Sequence, residues 1–253
     1  MSRLSSLPVA LQQAIAGRRL LKVIAGLANF DGAAVERVAR AAAAGGADLL
    51  DVACDPALVK RAARVSALPI CVSAVDPELF PAAVAAGATL VEIGNFDSFY
   101  PQGRVFGAEE VLALARRTRE LLPQVVVSVT VPHVLALDQQ QQLAVELEAA
   151  GADLIQTEGG TSARPFSPGS LGLIEKAAPT LAAAHALSRA VAVPVLCASG
   201  LSAVTVPMAI AAGAAGVGIG SAVNRLDDEL AMVAVVRGLR EALAVAPVVL
   251  QQA

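Results

Sequence analysis

Four charged side chains fall inside short apolar runs, where a charge is costly unless something compensates it. Lys22 lies in LLKVI, Asp51 in LLDVA, Glu92 in LVEIG and Glu158 at the end of LIQTE. Desolvating an ion costs several kcal/mol, so such groups must pair or meet a ligand. Three acids around one ammonium group exceed what neutral pairing needs. At least one carboxylate is therefore expected to keep a raised pKa or to face a ligand, the usual precondition for general acid–base chemistry. Acids beside Lys22 stabilise its charged form, which suits it to neutralising developing negative charge and argues against a Schiff-base nucleophile. The expected catalytic set is Lys22, Asp51, Glu92 and Glu158.

A second kind of chemistry lies in glycine. The segments Ala198-Ser199-Gly200-Leu201-Ser202 and Gly218-Ile219-Gly220-Ser221-Ala222 stand late in the chain. Glycine lets backbone N–H groups approach an anion, and a short helix opening near Ser221 aims its N-terminus at one. Ser199, Gly200, Leu201, Gly220 and Ser221 are expected to hold a phosphate. Asn95, Thr130, His133, Gly159 and Gly160, at neighbouring run ends, are expected to line the substrate. The loop Asn95–Tyr100 holds three of the seven aromatic residues and reads either as an aromatic wall or as a packed loop. Residues 163–172, with Pro165, Pro168 and Gly169, read as a cover over the mouth. His185, in an alanine-rich helix, reads as structural.

Other chemistries find little support. Cys54, Cys71 and Cys197 lack CxxC spacing and indicate a reducing compartment. The two histidines, His133 and His185, are too far apart in sequence to indicate a zinc site, so no metal is expected. No cofactor is expected either. FMN stays open because its phosphate suits the same late loops, although one Tyr and no Trp offer little stacking surface. With 16% charged residues, 3% aromatics and a net charge of −3, the chain has no basic footprint for nucleic acid. Its 56% apolar content contains no run long enough to span a membrane, and the first residues lack a signal-peptide core. A cytoplasmic setting is expected, and apolar helix faces are compatible with a homodimer.

The elements that must position these residues announce themselves by punctuation. Alanine-rich helical stretches end at Gly46, Gly87, Gly151 and Gly213, each just before an apolar run. Between them, runs are entered through Pro69, Pro123 and Pro194. Glycine caps a helix in the left-handed conformation, and proline stops a helix but tolerates a strand start. With the first run, Leu20 to Ala25, this makes eight strand–helix units of about 30 residues. Eight such units predict a (β/α)8 TIM barrel in one domain over 1–253, with an N-terminal helix in 1–17 and the barrel over 20–245. That helix is expected over Leu7–Ala16 with Ser6 as its cap. Asp31 is expected to cap a helix burying Val35, Val38, Ala39 and Ala42; further helices are expected over 108–122, 135–150 and 227–245. A doubly wound sheet fits less well, because its glycine-rich turn follows the first strand. Alternation points Lys22, Asp51, Cys71, Ser73, Glu92, Ser128, Thr130, Gln156, Glu158, Cys197 and Ser199 into the barrel.

The stretches KVIAGLANFD, ICVSAVDPELF, VEIGNFDSFYPQGR, SVTVPH, IQTEGGTS, GLIEKAAPTLAAA and CASGLS follow one another through nearly the whole chain. In them the sequence resembles the Ycf23-type proteins, a conserved open-reading-frame family of cyanobacteria and algal plastids. The resemblance implies an aldolase-type barrel, similar to phosphate-binding enzymes of histidine and tryptophan synthesis, and a cyanobacterial or plastid-stroma setting. It implies no activity and no catalytic residue. The residues themselves predict an isomerase, epimerase or lyase moving a proton next to a carbonyl of a small phosphorylated metabolite. A non-catalytic metabolite sensor or scaffold and an FMN barrel are the alternatives.

Overall fold

The computed structural model describes residues 3–245; of the domain expected over 1–253, residues 1–2 and 246–253 lie outside that range. The strands are β1 (Leu20–Ile24), β2 (Leu49–Ala53), β3 (Ile70–Ala74) and β4 (Leu90–Ile93). They continue with β5 (Val126–Thr130), β6 (Leu154–Gln156), β7 (Val195–Ala198) and β8 (Gly216–Ile219). Each pairs in parallel with the next, and β8 pairs with β1, so the sheet closes as the expected (β/α)8 barrel.

The helices begin with α1 (Val9–Ala16), α2 (Gly32–Gly45), α3 (Pro56–Val65), α4 (Phe80–Ala85) and α5 (Ala108–Leu121). After them come α6 (Leu137–Ala149), α7 (Gly169–Ala190), α8 (Val206–Ala212), α9 (Ser221–Asn224) and α10 (Glu229–Ala244). Asp31 caps α2 by accepting from the amides of Ala33 and Ala34, and Gly46 ends it at φ 86°. The stripe Val35, Val38, Ala39 and Ala42 is buried against the sheet. Among the described residues no helix is long and apolar enough to cross a membrane.

The N-terminal segment departs from expectation. Arg3–Ser6 forms a 3-10 turn and α1 starts only at Val9, after Pro8, with no side-chain cap. Ser6 is not the cap, because its hydroxyl donates instead to the Arg3 carbonyl at 2.7 Å. The turn is moored by Arg3, whose guanidinium meets Asp153 at 3.0 Å and the Gly151 carbonyl at 2.8 Å. This places Leu7, Leu11, Ala14 and Ile15 across the bottom of the barrel, on Leu20, Leu49, Leu90, Val126, Leu154 and Leu196. Each large side chain so buried contributes about 1.5–3 kcal/mol.

Above this apolar floor the barrel interior turns polar. Lys22 Nζ lies 2.7 Å from Asp51 Oδ2 and 2.7 Å from Glu92 Oε2, and donates to Gln156 Oε1 at 3.0 Å. Ser73 donates to Asp51 and Ser128 to Glu92, both at 2.8 Å, and Gln156 Nε2 donates to the other Glu92 oxygen at 2.6 Å. Burial opposes the Lys22 charge, but Asp51 and Glu92 outweigh it and hold the ammonium well above its ordinary pKa. Burial pushes Glu92 up against the pull of Lys22. Gly218 belongs to the same layer: a Cβ there would lie 2.9 Å from Ala198 Cβ and 3.2 Å from Gln156 Oε1.

In β7 the phase is opposite to the expected one. Cys197 points outward, its thiol 3.6 Å from the Thr180 carbonyl of α7, while Leu196 joins the barrel floor. Cysteine and leucine are both apolar enough for either side, so alternation carried no information there. Cys71 does point inward, but into the apolar floor.

Two measurements check this layering. A Cβ on Gly216 would sit 2.4 Å from Leu20 Cβ and 2.6 Å from its carbonyl oxygen, so Gly216→Ala is expected to destabilise by about 1–3 kcal/mol in urea unfolding. Lys22→Met leaves two buried carboxylates uncompensated and is expected to lose about 3–5 kcal/mol. The triple change K22M/D51N/E92Q should recover most of that loss.

Candidate functional site

A cavity of about 290 Å³ opens at the C-terminal ends of the strands, lined by residues following β1, β4, β6, β7 and β8. Lys22, Asp51 and Glu92 do not line it. They are brought together as the alternation predicts, but beneath the cavity, with 1%, 0% and 0% of their surfaces exposed. Their charges are met by one another and by Ser73, Ser128 and Gln156, so they do not reach a ligand in the cavity. Of the expected acids, only Glu158 faces it.

One wall is built by the last two loops. Ser199, Gly200, Gly220 and Ser221, the residues expected to hold a phosphate, line it. Among the described residues, the amides of Gly200, Leu201 and Gly220 donate to no protein acceptor. Leu201 does not line the cavity, because its side chain turns into the core. Asn224 donates to the carbonyls of Ile24 at 3.0 Å and Ala25 at 3.3 Å, which pins α9 onto the end of β1. Arg225 follows at the edge of the cavity; among the described residues it makes no ion pair. Sequence reasoning missed Asn224 and Arg225. The available signal was spacing: Arg225 lies four residues beyond Ser221, one helical turn on.

The acids Asp97 and Glu158 line the same cavity. Glu158 Oε1 lies 3.1 Å from His133 Nδ1 and accepts from the His133 amide at 3.1 Å and from the Tyr100 hydroxyl. Its other oxygen accepts from the Asp97 amide at 3.3 Å. Asp97 Oδ1 is 3.5 Å from His133 Nδ1. Burial works against a charged His133, but the hydrogen bond and charge of Glu158, with that of Asp97, prevail and raise its pKa. Burial and the same two carboxylates push the Tyr100 phenol far up, so it stays a proton donor. Among the described residues, His133 is the only basic group within ion-pair distance of Asp97 or Glu158. Asp97 and Tyr100 belong to the loop singled out for its aromatics, where the acid and the hydroxyl were the informative groups.

Several expected contacts resolve differently. Ser199, at φ 76°, donates its hydroxyl to Asp97 Oδ2 at 2.9 Å and accepts from the Thr161 amide at 2.8 Å. That hydroxyl thus ties the two walls together, leaving the backbone to an anion. Asn95 lines the cavity, but Thr130, Gly159, Gly160 and His133 do not; His133 stands behind Glu158 and Asp97, which do. Thr130 lies below, against Gly94 and Gln156. Gly159 makes room for His133, since a Cβ there would stand 3.1 Å from the His133 Cβ. Gly160 is required by its neighbour: a Cβ on it would lie 2.4 Å from Gly200 Cα.

The loop 95–100 is a packed loop. Phe96 is fully buried with its ring 4.5 Å from that of Phe106, and Phe99 packs on the same ring at 5.5 Å. Burial and Asp55 push the Cys54 thiol up to about 12, which makes it inert. His185 is exposed on α7, away from the cavity.

Residues 5–249 match the family model described as "Protein of unknown function (DUF561)". The "Uncharacterized protein ycf23" of Cyanophora paradoxa is 42% identical over 217 residues, covering 85% of this chain and 89% of the relative. Among solved structures, a 3-hexulose-6-phosphate synthase superposes with a TM-score of 0.62 at 18% identity, covering 88% of this chain and 99% of its own. A (S)-3-O-geranylgeranylglyceryl phosphate synthase from Thermoplasma acidophilum, in complex with sn-glycerol-1-phosphate, superposes with a TM-score of 0.58 at 14% identity, covering 96% of this chain and 98% of its own. At such low identity these two likenesses establish the fold alone. The match along nearly the whole sequence does more: this chain belongs to the DUF561 family, together with the ycf23 proteins.

Proposed function

We propose that this protein is an enzyme acting on a small phosphorylated metabolite, an isomerase, epimerase or lyase that moves a proton next to a carbonyl. The phosphate is held by the backbone of Gly200, Leu201, Gly220 and Ser221 together with the Arg225 guanidinium. Glu158, steadied by Tyr100 and His133, handles the proton at the other end. One observation carries this reading: the amides of Gly200 and Gly220, without a protein acceptor, and the Arg225 guanidinium, without an ion-pair partner among the described residues, belong to residues lining the same cavity of about 290 Å³ as Asp97 and Glu158, whose carboxylates meet His133.

The physical logic is a division of labour. Binding energy from a non-reacting phosphate fixes the carbonyl end against the acids, which converts affinity into orientation. Barrel enzymes frequently use the loops after the seventh and eighth strands for this purpose. Two proteins that share the fold are named as synthases of phosphorylated compounds, which supports the substrate class. The cavity volume lies at the small end for ligand sites, which favours a compact metabolite over FMN. Lys22, Asp51 and Glu92 take no part in the reaction in this reading; they hold the floor on which the cavity stands.

Thermal-shift measurements against triose, pentose and hexose phosphates, amino-sugar phosphates and phosphorylated biosynthetic intermediates test the proposal. A true ligand at a hundredfold excess over its Kd should raise Tm by about 5–10 °C. Arg225→Met should weaken its binding about tenfold or more. Glu158→Gln should keep the binding and lose turnover by about 10²–10⁴-fold. A flat response across the panel, or binding indifferent to Arg225, overturns the proposal.

A further inference from the structure

We infer that Asp97, His133 and Glu158 form a divalent-cation site at the edge of the cavity that Asp97 and Glu158 line. Each offers one donor atom, a carboxylate oxygen or an imidazole nitrogen, and the three lie within 4.8 Å of one another. The imidazole nitrogen is 3.1 Å from the Glu158 oxygen and 3.5 Å from the Asp97 oxygen. Donors about 2.0–2.2 Å from a common ion, at tetrahedral or octahedral angles, stand about 2.8–3.6 Å apart. The two separations to the imidazole nitrogen fall in that window, and the two carboxylates offer oxygens within 4.8 Å of each other.

Charge makes the same case. Asp97 and Glu158 are 11% and 3% exposed, with no Lys or Arg in ion-pair range among the described residues. One proton on His133 balances only half of their charge. The chain itself offers the comparison, because a second set of metal-capable side chains, Asp51, Cys71 and Glu92, lies deeper in the barrel. There Lys22 Nζ stands 2.7 Å from both carboxylates and supplies the cation. At the rim, among the described residues, no ammonium or guanidinium group pairs with either carboxylate.

Outer partners already orient the ligands, as metal sites require. Glu158 is held by the Tyr100 hydroxyl and two backbone amides. Asp97 is held by the hydroxyls of Ser199 at 2.9 Å and Ser162 at 3.3 Å. Two carboxylates and one imidazole suit Mn²⁺ or Zn²⁺ better than a soft-ligand metal. The inference deepens the proposed function, on which its chemical role rests: a cation here polarises the substrate oxygen, the task that Lys22 is too deep to perform. Cation binding itself does not depend on that role.

The full-length protein, stripped with a chelator and placed in phosphate-free buffer, can be titrated with MnCl₂ and ZnCl₂. Calorimetry and Mn²⁺ electron paramagnetic resonance report the binding. One ion per chain is expected, with Asp97→Asn and His133→Gln each weakening it about 10–100-fold. Arg225→Met should leave it unchanged. Circular dichroism melts identify any variant that fails to fold; Tyr100→Phe, which removes only an outer hydroxyl, then takes its place and should weaken binding measurably. Absence of stoichiometric binding, or binding indifferent to these changes, overturns the inference. If phosphorylated ligands bind but Mn²⁺ and Zn²⁺ do not, the cation site falls and the proposed function stands. The reverse result retains the cation site and removes the proposed substrate class.

Discussion

The pairing of one buried ammonium group with two buried carboxylates sets the shape of everything above it. Eight parallel strands close around an axis that side chains must fill, and here the middle of that axis is filled with charge. Lys22 reaches across from β1 to Asp51 on β2 and Glu92 on β4, and Gln156 from β6 completes its contacts. Such a cluster is a poor source of net stability, because desolvation cancels much of the attraction. It does fix which residues face inward. A slip of one residue in β1, β2 or β4 would turn an ion into the apolar shell beneath the helices.

That constraint separates the barrel into zones with different obligations. The floor is apolar and closed by α1, the middle is polar and saturated, and the rim is left for groups that the core does not need. Glycine replaces side chains along β8 at Gly216 and Gly218, because Leu20 below and Gln156 in the middle already occupy the space. The same economy at Gly160 and Gly200 brings two loop backbones into contact beside the cavity. A left-handed Ser199 at that crossing hands its hydroxyl to Asp97, so the loop after β7 is coupled to the loop after β4. Distortion of a non-glycine backbone at a cavity edge is the kind of cost that surrounding contacts must hold in place.

Much of this was legible in the sequence, and the gaps have physical reasons. Glycine and proline punctuation gave the order of elements, since both act through local backbone geometry and need no partner to be read. The inward phase of Lys22, Asp51, Glu92 and Glu158 was legible because an ion in an apolar run has only one tolerable side. Depth along the strand was not. Lys22 and Glu158 obey the same alternation, yet one lies in the sealed middle layer and the other at the cavity. Depth depends on where each strand starts relative to its neighbours, which is set by the stagger of the closed barrel and not by any one run. Cys197 was misplaced for a simpler reason, as both phases of β7 are apolar. Arg225 and Asp97 escaped notice because a charged residue in a loop is ordinary until the fold shows what it stands beside.

The two acid clusters carry the argument from fold to chemistry. Both combine two carboxylates on separate strands or loops, both are ringed by hydroxyl and amide donors, and both sit on the barrel axis side of the sheet. In the deep cluster, the chain supplies a compensating cation that is fully enclosed, so the arrangement is complete and inert. At the rim, His133 has two carboxylates and only one proton to offer them, and both carboxylates belong to residues lining the cavity. A binding site for small molecules needs groups whose best partner is not already part of the protein, since a saturated network gains nothing from a ligand. By that criterion the proposed reaction belongs to the rim cluster and the amides beside it, and the saturated interior serves as scaffold.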